Sequence, residues 1–192
     1  MKRGLVKCFE WSVVGVVLLF TACVKDIDLD QLDAVELSPV YEVAFIFSKI
    51  EIPDLGGGRP LPTIGIPIGI VRDTLAYDLL GNEFATKNLD SIALTFEFIN
   101  LIEKEAVFSF EFLNNSSFQV GQSYSLNIAK GNGKNLEPVV TTKTLVLGKS
   151  DIRAITNAKQ IATTFIMRQI DNSLTGSMTL RSKGTFYFNY PL

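Results

Sequence analysis

Histidine is absent from all 192 residues, and cysteine occurs only twice, at Cys8 and Cys23. The first absence removes the usual general base at neutral pH and the commonest transition-metal ligand. Beyond Cys23 there is neither histidine nor cysteine, so Ser-His-Asp and Cys-His sites are excluded there. A basic excess is missing as well: 18 Lys and Arg stand against 20 Asp and Glu. The basic residues are scattered, which leaves no stripe to neutralise phosphates and argues against a nucleic-acid partner. The apolar stretch Ser12–Ala22 covers eleven residues, short of the roughly 20 that a membrane-spanning helix needs. No internal repeat suggests a propeller or solenoid.

That stretch nevertheless organises the chain. Lys2, Arg3 and Lys7 precede it, and small residues followed by Cys23 end it. A basic start, a short apolar core and small closing residues make a secretory signal peptide, expected over residues 1–22. Phe20-Thr21-Ala22-Cys23 resembles the lipobox of bacterial lipoproteins, with phenylalanine where leucine is commonest. The resemblance implies that the Cys23 thiol takes a diacylglycerol, that the chain is cut before it, and that a lipid bilayer becomes its first partner. The mature chain would then have 170 residues, with 15 basic and 19 acidic side chains and a net charge of −4. That length suits one domain and a tether, with no disulfide or metal needed to hold the core.

Residues 23–39 form the expected tether. Lys25, Asp26 and Asp28 follow the lipid site, with Asp30 and Asp33 beyond. A Lys-Asp segment of this kind resembles the surface-export signal of lipoproteins from Bacteroidota, which implies an outer-membrane location facing outward, with the periplasmic leaflet as the alternative. Asp26, Asp28 and Asp30 also match the start of a calcium loop, but Gln31 and Leu37 stand where that loop requires glycine and a bidentate glutamate. A solvated acidic tether is the simpler expectation, and neither metal nor cofactor is expected.

From residue 40 to 192 the texture is strand. Val43, Phe45 and Phe47 alternate with Ala44, Ile46 and Ser48, apolar on both faces, as in a strand inside a sandwich. After Pro53 and the loop Gly56–Pro60, Ile64, Ile66, Ile68 and Ile70 recur at period two, separated by Gly65, Pro67 and Gly69. The proline places this strand at a sheet edge, laid over its own core or open to a partner. A short strand is expected from Asp73 to Leu80, and one helical turn over 82–88. Ile92, Leu94, Phe96 and Phe98, then Phe108, Phe110 and Phe112, read as a hairpin turning near residues 103–105, with five phenylalanines on its inner faces. Asn114–Ser117 is a turn, and Phe118–Ala129 is a strand. Lys130–Lys134 reads as a hairpin turn built on Asn132-Gly133. A strand over Val139–Leu147 follows, then a short helix capped by Ser150 and reaching about Lys159, then strands over 161–169 and 178–190.

About eight strands with one or two short helices predict an all-β antiparallel sandwich, immunoglobulin-like or similar, with a partly open barrel second. The lipobox, the acidic tether, the Val40–Phe47 strand, the Phe-rich pair and the closing Lys183–Phe188 together resemble small outer-membrane and surface lipoproteins of flavobacteria and their relatives. That resemblance brings no activity with it. The expected role is a non-catalytic accessory or binding module, an outer-membrane subunit, adhesin or ligand-presenting domain, with an outer-membrane protein as its partner. The alternative is a glycan-active enzyme using carboxylates alone, for which Glu97 and Glu111 would have to face each other. Ser123 with Lys130, or Ser150 with Lys149, would be the serine–lysine pairs to inspect. Asp73-Thr74-Leu75 and Asp90-Ser91-Ile92 resemble O-glycan acceptor sites of Bacteroidota, at Thr74 and Ser91. If a partner docks on the domain, the segment Gly56–Ile70 is the expected contact, since the Phe-rich pair is needed inside.

Overall fold

The computed structural model describes residues 36–77, 80 and 83–191. The expected signal peptide over residues 1–22, Cys23, Lys25, Asp26 and Asp28 therefore lie outside the described residues. Residues 38–190 make one compact unit, and residues 1–37 with 191–192 are assigned to another. The account below concerns the first.

Eight strands build it: β1 (Val40–Glu51), β2 (Ile66–Ala76), β3 (Leu89–Asn100), β4 (Ala106–Leu113), β5 (Gln119–Ile128), β6 (Val139–Leu147), β7 (Gln160–Ile170) and β8 (Ser177–Phe188). They form two four-stranded sheets, ordered β1-β8-β3-β6 and β2-β7-β4-β5, and every pairing is antiparallel. Three short helices, α1 (Ile52–Leu55), α2 (Glu83–Asn88) and α3 (Lys149–Ala154), fill connections. The fold is the antiparallel sandwich that the alternation predicts. Its strand order is that of a jelly roll, since consecutive strands change sheets everywhere except between β4 and β5.

That crossing corrects two expected hairpins. β3 and β4 do not pair; they lie in opposite sheets and their phenylalanines meet across the core. Phe96 lies 5.6 Å from Phe108 and 5.2 Å from Phe110, centroid to centroid, and Phe98 lies 5.4 Å from Phe108. All five expected rings, Phe112 included, are 0–1% exposed. The segment 130–134 likewise carries the chain from one sheet to the other instead of closing a hairpin. The turn that does join neighbouring strands is 114–118, where the Asn114 side-chain oxygen accepts from the backbone N–H of Ser116 (2.9 Å) and Phe118 (3.1 Å).

Other boundaries shift for local reasons. The two strands expected over 64–70 and 73–80 are one, β2, because pairing with β7 runs unbroken in register from Ile66 to Ala76. β1 is an edge strand, not an interior one, and Phe47 on it is 72% exposed. Its ladder with β8 shifts register between Ala44 and Phe47. There the Ser182 hydroxyl takes up the loose backbone, accepting from Ile46 N–H at 2.7 Å and donating to Ile46 C=O at 3.1 Å. Gly148, not Ser150, precedes α3, and the Asp151 carboxylate accepts its N–H at 3.1 Å. The helix stops at Ala154, short of Lys159.

One end of the sandwich is tied by a single buried amide. Asn100, 0% exposed, closes β3. Its side-chain nitrogen donates to the carbonyls of Lys104 (3.0 Å) and Ala129 (2.8 Å), and its oxygen accepts from Ile102 N–H (2.8 Å). The β3–β4 and β5–β6 crossings are thereby stitched together. Gly131 completes the stitch, because a Cβ there would sit 2.6–2.8 Å from backbone atoms of Asn100 and Ile102.

Two stability measurements check this account. Phe110→Ala removes a ring from the centre of the aromatic layer and is expected to lower the unfolding free energy by roughly 3–5 kcal/mol; an unchanged denaturation midpoint would contradict the face assignment. Asn100→Ala leaves a buried N–H without its acceptor and two carbonyls without this donor, and is expected to cost about 3 kcal/mol in chemical denaturation.

Candidate functional site

At the opposite end from Asn100, three connections surround a cleft of about 650 Å³. They are the β2–β3 link, the β4–β5 turn and the segment from α3 to β7. Among the described residues, those lining it are Leu80, Thr86, Asn114, Asn115, Ser116, Thr156, Asn157 and Lys159. The walls are pinned by backbone bonds: Lys159 N–H donates to Leu113 C=O (2.8 Å), Tyr77 N–H to Lys159 C=O (2.8 Å), and Ala158 N–H to Ile155 C=O (2.9 Å). Beneath them Tyr77 is buried, with its ring edge-on to Phe112 at 5.3 Å. Burial pushes its phenol far above the usual tyrosine range.

The cleft's chemistry follows from how its polar groups are occupied. The Asn114 oxygen is spent on the turn, which leaves its amide N–H groups as donors. Thr156 donates its hydroxyl to Ile152 C=O at 3.1 Å and keeps lone pairs to accept. Leu80 is the sole apolar side chain among the eight, and no carboxylate is among them. Sequence reasoning missed this site. Asn114–Ser117 reads only as a turn, and nothing in the local pattern brings it beside Asn157.

The residues singled out for other chemistry are kept apart. Glu97 and Glu111 lie on the outer faces of opposite sheets, with the phenylalanine layer between them; Glu97 has Arg181 at 3.8 Å. They cannot share a substrate as the expected hairpin would have allowed. Lys149 is drawn to Asp90 at 3.0 Å, away from a role as base for Ser150. Ser123 and Lys130 are separated by the rest of β5, roughly 15 Å of strand. Among the described residues no group of three or more His, Cys, Asp or Glu side chains could hold a metal ion, and no helix is long and apolar enough to cross a membrane. Thr74 is exposed on β2, while Ser91 is half-buried in β3.

The segment Gly56–Ile70 closes on its own core. Gly69 is buried because Leu55 of α1 and Ile170 of β7 press on it: a Cβ there would lie 3.0 Å from Leu55 Cβ and 2.4 Å from Ile170 Cδ1. At Gly69 this edge strand is therefore laid over its own core. Ile68 and Ile70 turn outward, 49% and 43% exposed, on the free edge of their sheet.

No protein-family model and no curated protein matches the chain. Among solved structures, it is similar to the enzymatically active domain of bacteriophage CBA120 tailspike protein 4, at 16% identity and TM-score 0.39 over 75% of this chain and 18% of that one. A protein of Parabacteroides distasonis described as secreted aligns at 11% identity and TM-score 0.46, over 64% of this chain and 39% of its own. The VP2 subviral particle of infectious bursal disease virus aligns at 9% identity and TM-score 0.42, over 78% and 32%. This chain thus spans well under half the length of each, and no functional argument is drawn from them.

The resolved charge shifts give one prediction. Lys183 hydrogen-bonds Glu42, Lys49 hydrogen-bonds Glu51, and the Ser173 hydroxyl hydrogen-bonds Asp171, so all three carboxyls titrate below their ordinary values. A carboxyl depressed by folding adds stability above its unfolded pKa, and that contribution is lost as pH falls through the folded value. Lys49 and Tyr77 are shifted upward instead, so their contributions are lost only on the alkaline side. With no histidine between, the thermal midpoint is expected to stay level from about pH 6 to 8 and to fall below about pH 4. A step near pH 6.5 in a melting series would contradict this.

Proposed function

We propose that this chain is a lipid-anchored module of a bacterial outer membrane that binds a ligand without transforming it. The observation that carries the binding role is the pinned cleft at the rim of the sandwich, whose described lining is amides and hydroxyls together with Lys159 and Leu80, above a core filled with rings. The order Lys2, Arg3, Lys7, apolar Ser12–Ala22, then Thr21-Ala22-Cys23 supports the anchor. Two or three acyl chains at Cys23 hold a protein on a bilayer where one would not. Lys25, Asp26 and Asp28 support display at the cell surface, where an outer-membrane protein would be the natural neighbour.

Metabolic labelling with a palmitate analogue tests the anchor. The wild-type chain is expected to carry label and fractionate with outer membranes, and Cys23→Ala to lose both. Labelling that survives Cys23→Ala unchanged would refute the anchoring site.

A further inference from the structure

The rim cleft carries a more specific assignment, which rests on the binding role just proposed. We infer that its ligand is a neutral, hydroxyl-rich molecule, a short uncharged oligosaccharide segment. Asn115, Ser116 and Asn157 make no side-chain hydrogen bond among the described residues, and all three are exposed on the cleft. Each carboxamide both donates and accepts, and so does each hydroxyl. A sugar hydroxyl has the same dual character, so neighbouring hydroxyls on a ring match such a lining group for group.

Other ligand classes fit less well. Among the described lining residues there is no carboxylate to balance a cation. A phosphate or sulfate ligand calls for charge-assisted donors from several directions, and Lys159 is the one basic residue of the eight. An extended peptide needs a free strand edge and apolar pockets for alternate side chains. Here Leu80 is the one apolar residue of the described lining, already 2% exposed, and the cleft is made of connections, not of an edge. The volume, about 650 Å³, lies within the range of small-molecule sites, ~300–1,000 Å³. No aromatic ring is among the described lining residues, whose selectivity comes from hydrogen bonding.

The walls are suited to holding such a ligand. The Asn114 turn is fixed by two hydrogen bonds from its own backbone, and the segment before β7 by backbone bonds to β4 and β2. Asn115 and Asn157 thus sit on segments whose positions are set before any ligand arrives, which limits the ordering cost on binding.

Calorimetric titration of the full chain, held in a non-glycosidic detergent, tests the assignment. The probes are gluco-, manno- and chito-oligosaccharides, with an oligogalacturonate as acidic counterpart and an extended polyalanine-rich peptide as the third class. At least one neutral oligosaccharide is expected to bind saturably. Asn157→Ala and Asn115→Ala should each weaken it about two- to tenfold, the loss of one hydrogen bond, while Val146→Ser, on the outer face of β6, leaves it unchanged. Binding of the oligogalacturonate or the peptide in preference would overturn the neutral-sugar assignment and leave the binding role standing. Neutral binding that ignores both asparagine variants would place the site elsewhere. No saturable binding by any probe would overturn the cleft as a ligand site, while the anchor at Cys23 stands or falls by its own labelling experiment.

Discussion

Aromatic rings from four strands hold the two sheets face to face. Phe96 and Phe98 from β3 meet Phe108 and Phe110 from β4, Phe165 from β7 joins them at 5.6 Å from Phe108, and Tyr124 from β5 stacks on Phe110 at 5.0 Å. Tilted and edge-on arrangements of this kind add to the large apolar area each ring removes from water. Everything at the rims depends on that layer. The strands it positions fix where the connections emerge, and those connections make both the Asn100 stitch at one end and the cleft at the other. Because the rings fill the interior, chemistry is confined to the surface and the ends.

The faces of the strands were legible in the sequence, and their partners were not. Period-two alternation at Ile92–Phe98 and Phe108–Phe112 reports which side chains point inward, and every one of those phenylalanines does. It carries no information about which strand lies alongside. Two adjacent inward-facing strands look alike whether they pair in one sheet or oppose each other across a core, and here they oppose. Asn100 was invisible for a different reason: a polar residue at the end of an apolar run reads as a strand terminus, and only the arrival of Ala129, far along the chain, turns it into a tie. The cleft is non-local in the same way, since Asn114 and Asn157 become neighbours only through the β4–β7 pairing.

The sheet edges show how the domain avoids pairing with itself. β2 carries Pro67, and β5 shifts register between its partners Phe110 and Phe112, where Gly121 adopts φ +71°. On β1 the Ser182 hydroxyl satisfies both backbone groups of Ile46 where the ladder breaks. Each device interrupts the straight row of free N–H and C=O groups that another strand would need. The exposed Phe47 and Val43 on β1 are tolerated beside such an interruption. Surface ion pairs such as Lys183–Glu42, at 2.8 Å, add little stability of their own but keep the outer face of that sheet polar.

The strand order also bears on when the domain can form. β1 hydrogen-bonds only to β8 within its sheet, and β8 separates it from β3; Val40 faces Tyr187 across that ladder. β1, made before the other seven strands of this unit, thus waits for β8, made after them. Until residues 177–188 are made, one sheet lacks the strand that joins its halves, and the phenylalanines of β3 have no complete sheet behind them. Such long-range pairing makes folding slow, because loop closure over most of the chain precedes the contacts that reward it. For a chain exported as proposed above, this delay would be an advantage, since the growing polypeptide would stay extended until β8 is made.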